Sequence, residues 1–457
     1  MRRLATVTML LTATLPVWSA DEPSATEPRA IEPAPAAPVP LSLKRAVQIA
    51  ISLQGNPSIP MAAETVAQAR AHVSEARSAF LPDIDGAATK QNAIQSLGAL
   101  GFTTIKLPFG LKIPATVGPY DVTDIRATGF ETFAFSSIRR FEAARSGLRA
   151  ARSEQKNRDT VVAGLAAKTY MEALYTQASL EAVGADVRLA QAVLAQAEHQ
   201  KDAGTGTAIE VTRARVQLAN AQQRELVAGN ERRKAQFELL RAIGMSMDTE
   251  AELTDKLSYI PLETVTLEQA KAKASQSRED FKAQRAREEA ARLSASAVTW
   301  ERAPSVTGFG NYGTTGENAN TPLVPTRTFG ITVRVPVFDG GQREARRGEA
   351  VSQYRLEQVR TRDLSEQIEL ELREALDSLN SAKGQMEVAQ EGLALATNEL
   401  AQARRRYDAG FANGIEVTDA QTRLERAREN DVIALFNYNL ARIDLGQAMG
   451  TVLDLIQ

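Results

Sequence analysis

The chain has 457 residues, no cysteine, two histidines and a formal net charge of −2 from 54 basic and 56 acidic side chains. Without cysteine there is no disulfide framework, thiolate metal site or amino-terminal lipid cysteine, and a weakly negative balance argues against a general nucleic-acid binder. Neither His72 nor His199 stands at metal-ligand spacing from another His or Cys, and the sequence holds no phosphate loop or nucleophile elbow, so neither an enzyme nor a cofactor is indicated.

Residues 1–20, MRRLATVTMLLTATLPVWSA, read as a secretory leader, with two arginines, an apolar stretch and small residues at the close. Cleavage after Ser19 or Ala20 removes Arg2 and Arg3 and takes the charge from −2 to −4. Residues 21–40 hold six prolines and little that can be buried, which predicts an extended tether. Beyond the leader there is no run of about 18 apolar residues, so an exported chain of this kind is soluble or crosses a membrane as strands.

Two repeats follow, 41–262 and 263–457. In the first, a helix is expected over about 42–80, strands over 84–94 and 122–135 around a Gly- and Pro-rich loop at 96–120, and a helical hairpin over 137–244. In the second, the same order gives a helix over about 266–301, strands over 305–315 and 327–338 around a loop at 316–326, and a hairpin over 341–450. Both hairpins are free of proline. Among the strands, 327–338 alternates most clearly, with Phe329, Ile331, Val333, Val335 and Val337 on one side and Thr328, Gly330, Thr332 and Arg334 on the other. Strands of about ten residues suit a tilted membrane crossing.

The duplication is plainest at the hairpin turns, where AGTGTAIEVTRARVQLANA (203–221) and AGFANGIEVTDAQTRLERA (409–427) share nine of nineteen residues. Gly204 and Gly410 can take the left-handed conformation that ends a helix, and Thr207 to Glu210 and Asn413 to Glu416 have the capping-box pattern that starts the next. Beyond each turn alanine recurs every seven residues, at 214, 221, 228, 235 and 242 and at 420, 427, 434, 441 and 448. A sustained heptad of small residues predicts close, supercoiled helix packing. A helix from 341 to 409 extends about 100 Å, too long for a globular core, and requires a wall of neighbouring helices.

Four strands cannot close a barrel, and a sheet with free edges is not tolerated in lipid. If the strands are membrane strands, oligomerisation follows, and three chains give twelve strands, an even number in the range of outer-membrane barrels. The fold class expected is therefore mainly α with membrane β: a tandem repeat of helix, strand pair and very long helical hairpin, in a homotrimer whose 12-stranded β-barrel continues as an α-helical barrel.

In its tandem repeat, its two Ala-Gly turns before Ile-Glu-Val-Thr, its Pro-Val-Phe-Asp-Gly-Gly stretch at 336–341 and the glycines Gly244 and Gly450 that close the hairpins, the chain from about 41 to 450 resembles the TolC-like outer-membrane efflux proteins. The resemblance implies a trimeric exit duct in the outer membrane and periplasm, serving a tripartite efflux or type I secretion system with a periplasmic adaptor (membrane fusion protein) and an inner-membrane pump. It also implies that the second turn forms a gated constriction. The acidic positions there map onto Glu416 and Asp419, with Tyr407 and Glu210 as latch partners. Some members carry a latch arginine where this chain has Ala412, which points to another residue such as Arg406. Adaptor docking is expected at the turns, Gly204, Thr205, Ile209, Gly410, Phe411 and Ile415. Pro336, Gly340 and Gly341 resemble the family's strand bend and strand-to-helix junction. Two other readings stay open on the residues alone: a periplasmic adaptor, and a structural coiled coil without a pore.

Overall fold

The computed structural model describes residues 39–99, 101, 114–262, 265–317, 322–409, 411–412 and 414–456. The leader and nearly all of the tether lie outside the described residues. After a short strand β1 (Val39–Leu41) come helices α1 (Leu43–Ala50) and α2 (Ser58–Ser78), then strands β2 (Asp83–Ser96) and β3 (Thr116–Phe133). The first hairpin is α3 (Phe135–Asp202) and α4 (Ala208–Ile243). A second short strand, β4 (Ala251–Leu253), opens the connection to α5 (Leu267–Ser277), α6 (Glu279–Trp300), β5 (Ser305–Gly316) and β6 (Val324–Arg334). The second hairpin is α7 (Gln342–Asp408) and α8 (Gly414–Met449), followed by α9 (Val452–Ile456).

Three expectations need correction. The helices placed at 42–80 and 266–301 are each broken in two. In the first, the break is at Gly55-Asn56-Pro57, because proline cannot donate to the preceding turn. In the second, Arg278 takes an extended conformation, ψ 112°, between α5 and α6. The strand placed at 327–338 ends at Arg334 and starts earlier, at Val324, since Pro336 has no amide hydrogen for the ladder. The strand placed at 122–135 reaches back to Thr116 and stops at Phe133, so part of the expected loop is sheet. The parallel pair β1–β4, with Val39 opposite Ala251 and Leu41 opposite Leu253, had no legible signal in three-residue segments.

The four long strands form one antiparallel sheet in the order β2-β3-β5-β6, leaving β2 and β6 as edges. Directly opposed residues share a face, so the register sorts the sheet into two. One face carries Ile84, Ile125, Phe133, Val306, Tyr312, Phe329, Ile331 and Val333, with Glu131 and Arg327 among them. The other carries Asp83, Asp85, Asp124, Arg126, Asn311 and a series of threonines. At the β5–β6 rung Phe309 opposes Gly330 and Gly310 opposes Phe329, so each aromatic ring covers a glycine, one pair on each face.

Helix contacts follow the same order. Toward the sheet, neighbours run α2-α3-α6-α7; away from it, they run α4-α3-α8-α7. The heptad alanines make the seams: eight of the ten are buried, and Ala228 and Ala427 are half-buried. Between the two halves of the wall lies the largest core, where Tyr170, Leu239, Ile243, Ile443 and Val452 from α3, α4, α8 and α9 meet Leu41. Tyr170 is fully buried and donates its hydroxyl hydrogen to Leu41 O or Asp255 Oδ2, each at 2.9 Å. Burial and the adjacent Asp255 push its phenol well above the ordinary tyrosine range. No described helix is long and apolar enough to cross a membrane.

Candidate functional site

The two hairpin tips are built alike. At the first, Gly204 has φ 77°, and the amide hydrogens of Thr205 and Gly206 both go to Gln200 O at 2.9 Å. The next helix starts with the Glu210 carboxylate accepting the Thr207 amide hydrogen at 3.0 Å. At the second, Phe411 N donates to Arg406 O at 2.8 Å, the same reversal 206 residues later. Gly410 and Asn413 lie outside the described residues.

The tips are also joined to each other. Tyr407 donates its hydroxyl hydrogen to Gln200 Oε1, from the end of α7 to the end of α3. Glu210 reaches the start of α8, where a Cβ added to Gly414 would stand 3.5 Å from its Oε1. Beneath, Ala396, Leu400 and Ala403 of α7 pack on Val417, Ala420 and Leu424 of α8, with Leu189 of α3 against them. The structure thus brings Glu210, Tyr407 and Gln200 into one contact region. Arg406 Nε lies 3.3 Å from Glu416 Oε1, so a guanidinium stands over Glu416 although position 412 is alanine. Asp419 is exposed one turn along, on the same side of α8 as Glu416. The turn residues Ile209, Phe411 and Ile415 are exposed, Phe411 to 81%.

At the other end of α7, Gly340 and Gly341 have φ of 70° and 87°, which only glycine adopts without strain. Gly341 is the N-cap of α7. Asp339 accepts the Arg343 amide hydrogen at 3.0 Å, and Pro336 stands just past the end of β6.

Sequence reasoning missed a second set of contacts between the repeats, higher on the wall. Asp186 of α3, nearly buried, pairs with Arg428 of α8 at 2.6 Å. Glu425 of α8 accepts from Arg224 at 2.9 Å and Gln217 at 3.4 Å, both on α4. Burial pushes the Asp186 and Glu425 carboxyls above their usual range, with the neighbouring arginines pulling back only in part. Partners some 200 residues apart leave no local signal; only the fold places them together. The seams within the hairpins have apolar clusters as well as ion pairs such as Arg215–Glu198 and Arg423–Glu399, and these links between hairpins are ionic.

The model of the outer membrane efflux protein family matches residues 49–245 and 272–451. The outer membrane protein TolC of Vibrio cholerae is 26% identical over 294 residues, covering 63% of this chain and 67% of that protein. Among solved structures, the outer membrane protein VceC of Vibrio cholerae aligns with a TM-score of 0.76 at 20% identity, over 89% of this chain and 96% of VceC. The CmeC outer membrane channel of Campylobacter jejuni aligns with a TM-score of 0.73 at 17% identity, over 90% of this chain and 86% of CmeC. A doubled helix, strand pair and hairpin is the architecture they share with this chain, and it sets aside an adaptor or a poreless coiled coil. The chain belongs to the outer membrane efflux protein family and is an outer-membrane exit duct that extends into the periplasm.

Proposed function

We propose that three copies of the chain close into a 12-stranded barrel in the outer-membrane lipid, continued by a helical barrel in the periplasm. One observation carries this reading. The free sheet edges, β2 and β6, lie at the same two sides of the protomer as the free helix edges, α2 with α4 and α7. A single rotation therefore pairs every open edge with the next copy, which is the closure a head-to-tail ring needs. The helix edges are apolar where a solvated face is polar. Val216 and Val227, and Leu226 and Phe237, are exposed along α4 at intervals of three turns, and Val359, Leu370, Val388 and Leu395 are exposed along α7.

In this assembly the tips of the second hairpins converge on the threefold axis. Glu416 and Asp419 form an acidic constriction there, and the Tyr407–Gln200 bond and the Glu210 contact hold it narrow. The exposed turns around Gly204, Thr205, Ile209, Gly410, Phe411 and Ile415 receive a periplasmic adaptor (membrane fusion protein), which links the duct to an inner-membrane pump of an efflux or type I secretion system. Native mass measurement of the detergent-extracted outer-membrane protein gives three chains per particle; a monomer refutes the closure. A photo-cross-linker at position 205 or 411 captures the adaptor in intact cells, and its failure to do so in an assembly with pump activity refutes the docking site.

A further inference from the structure

On α8, Gly414, Gln421 and Arg428 stand seven residues apart and so form one stripe, turned toward the first hairpin. Arg428 meets Asp186 of α3, and Gly414 lies beside Glu210 of α4. Gln421, between them, is only 2% exposed, yet its side chain makes no hydrogen bond with any described residue. Its amide has two donor hydrogens and an acceptor oxygen, and leaving such a group buried without partners is costly.

The space beside Gln421 is not filled by protein. A cavity of about 40 Å³ lies between the hairpins at this level, walled on its apolar side by Ala190 and Ala197 of α3, Ala214 of α4 and Val417 of α8. Glu210, Arg213, Gln217 and Thr418 bring polar groups to it. The acceptors among them are only partly used. Glu210 accepts the Thr207 amide hydrogen on Oε2, Gln217 spends its amide nitrogen on Glu425, and Thr418 donates its hydroxyl hydrogen to Gly414 O. An apolar void of this size stays dry, whereas one with several polar partners takes up water, at about 10 to 15 Å³ for each molecule.

We propose that two or three ordered water molecules, about what this volume admits, occupy the slot and bridge the Gln421 amide to Glu210 and Gln217, and that Gln421 is the positioning residue that keeps the second tip separable from the first. The proposal rests on the reading of the second tip as part of a gate. At the same height the α7–α8 seam is apolar, with Val417 and Leu424 against Ala396, Leu400 and Ala403, and parting it exposes those side chains to water. Parting α8 from α3 at the slot exposes an amide that is already hydrated, and its bonds to the trapped waters are exchanged for bonds to bulk solvent. The slot therefore sets the plane along which the tips divide.

Gln421→Leu and Gln421→Met each put an apolar group of similar size in place of the amide, which displaces the water and packs on Ala190, Ala197 and Ala214. Burying one such side chain shifts a two-state balance by about tenfold or more, so in single-channel recording the open occupancy falls about tenfold in both. Gln421→Ala enlarges the slot, leaves it hydrated and keeps the open occupancy close to that of the wild type. A rise or no change with Leu and Met, or an equal fall with Ala, overturns the role of Gln421. Tyr407→Phe is the control for the gate: if it leaves the open occupancy unchanged, the gate reading fails and the role of Gln421 with it. Hydration is read separately on the wild-type duct by radiolytic hydroxyl labelling. Val417, in the slot wall and 4% exposed, takes label, while Leu424, 3% exposed and away from the slot, does not. Labelling of Val417 no greater than that of Leu424 overturns the waters, whatever the gate does.

Discussion

Asn56 donates from Nδ2 to the carbonyl oxygen of Ala242 at 2.9 Å, tying the break between α1 and α2 to the last turn of α4. The second repeat solves the same problem with different chemistry: Arg278, at the break between α5 and α6, donates to Ala448 O at 3.3 Å, also in the last turn before the closing glycine. In both copies that glycine is closely approached, Gly244 with no room for a Cβ and Gly450 with a tight fit. One added to Gly244 would stand 2.3 Å from Gly55, and one added to Gly450 would stand 3.0 Å from Arg278 N. Asn56→Ala leaves the Ala242 carbonyl without this donor in a buried setting, at an expected cost of about 1 to 3 kcal/mol. Denaturant unfolding followed by the helical signal measures it; an unchanged midpoint shows that the contact contributes nothing.

At the tips, Tyr407→Phe keeps the ring and removes the hydrogen bond to Gln200. A net hydrogen bond is worth about 0.5 to 1.5 kcal/mol, so the open state gains about two- to tenfold in population. Single-channel recording reads this directly, and Gln200→Ala has the same effect without adding to it. Additive effects mean that the two side chains do not act as one link.

Glu416→Ala with Asp419→Ala removes the carboxylates of the proposed constriction. Cation preference and block by multivalent cations both fall, by reversal potential and titration in planar bilayers. A variant with wild-type selectivity places the constriction elsewhere.

In the sheet, a Cβ on Gly310 would stand 2.7 Å from Phe329 Cδ1, and one on Gly330 would stand 2.5 Å from Phe309 Cζ. Gly310→Ala and Gly330→Ala each displace the covering ring, at about 1 to 3 kcal/mol, and lower the yield of heat-modifiable folded protein on gels. Gly310→Ala with Phe329→Ala recovers part of that yield if the clash is the cause.

For Asp186 the sign follows from its raised carboxyl. An acid with a native pKa above its unfolded value contributes stability below the unfolded value, here 3.8, and loses it as pH rises through the native value. Wild-type stability, measured against Asp186→Asn, accordingly declines from about pH 4 upward. Glu425 acts in the same direction. A difference independent of pH would falsify the assignment.

The hairpins, their turns and their seams were legible because each depends on residues close in sequence. The alanine heptad reports the packed face of a single helix, and a glycine after a polar helix end reports a reversal whatever surrounds it. The break at Gly55-Asn56-Pro57 does carry a local signal in its proline, which the helical patterns on either side outweighed, whereas the break at Arg278 has no glycine or proline to mark it. Both breaks pack against the closing glycine of a hairpin about 170 to 190 residues further on, a contact that only the fold reveals.

By itself the sequence determined the doubled unit, the long rods and the two-sided character of the 327–338 strand, since these follow from periodicity and local backbone preference. Tertiary structure alone decided the order α4-α3-α8-α7, and with it which faces of α4 and α7 stay open, the covering of Gly310 by Phe329 and the pairing of Asp186 with Arg428. Those features depend on which distant segments are brought to contact distance. Only the chain's path in space sets that distance, and periodicity constrains a helix face without naming the helix it meets.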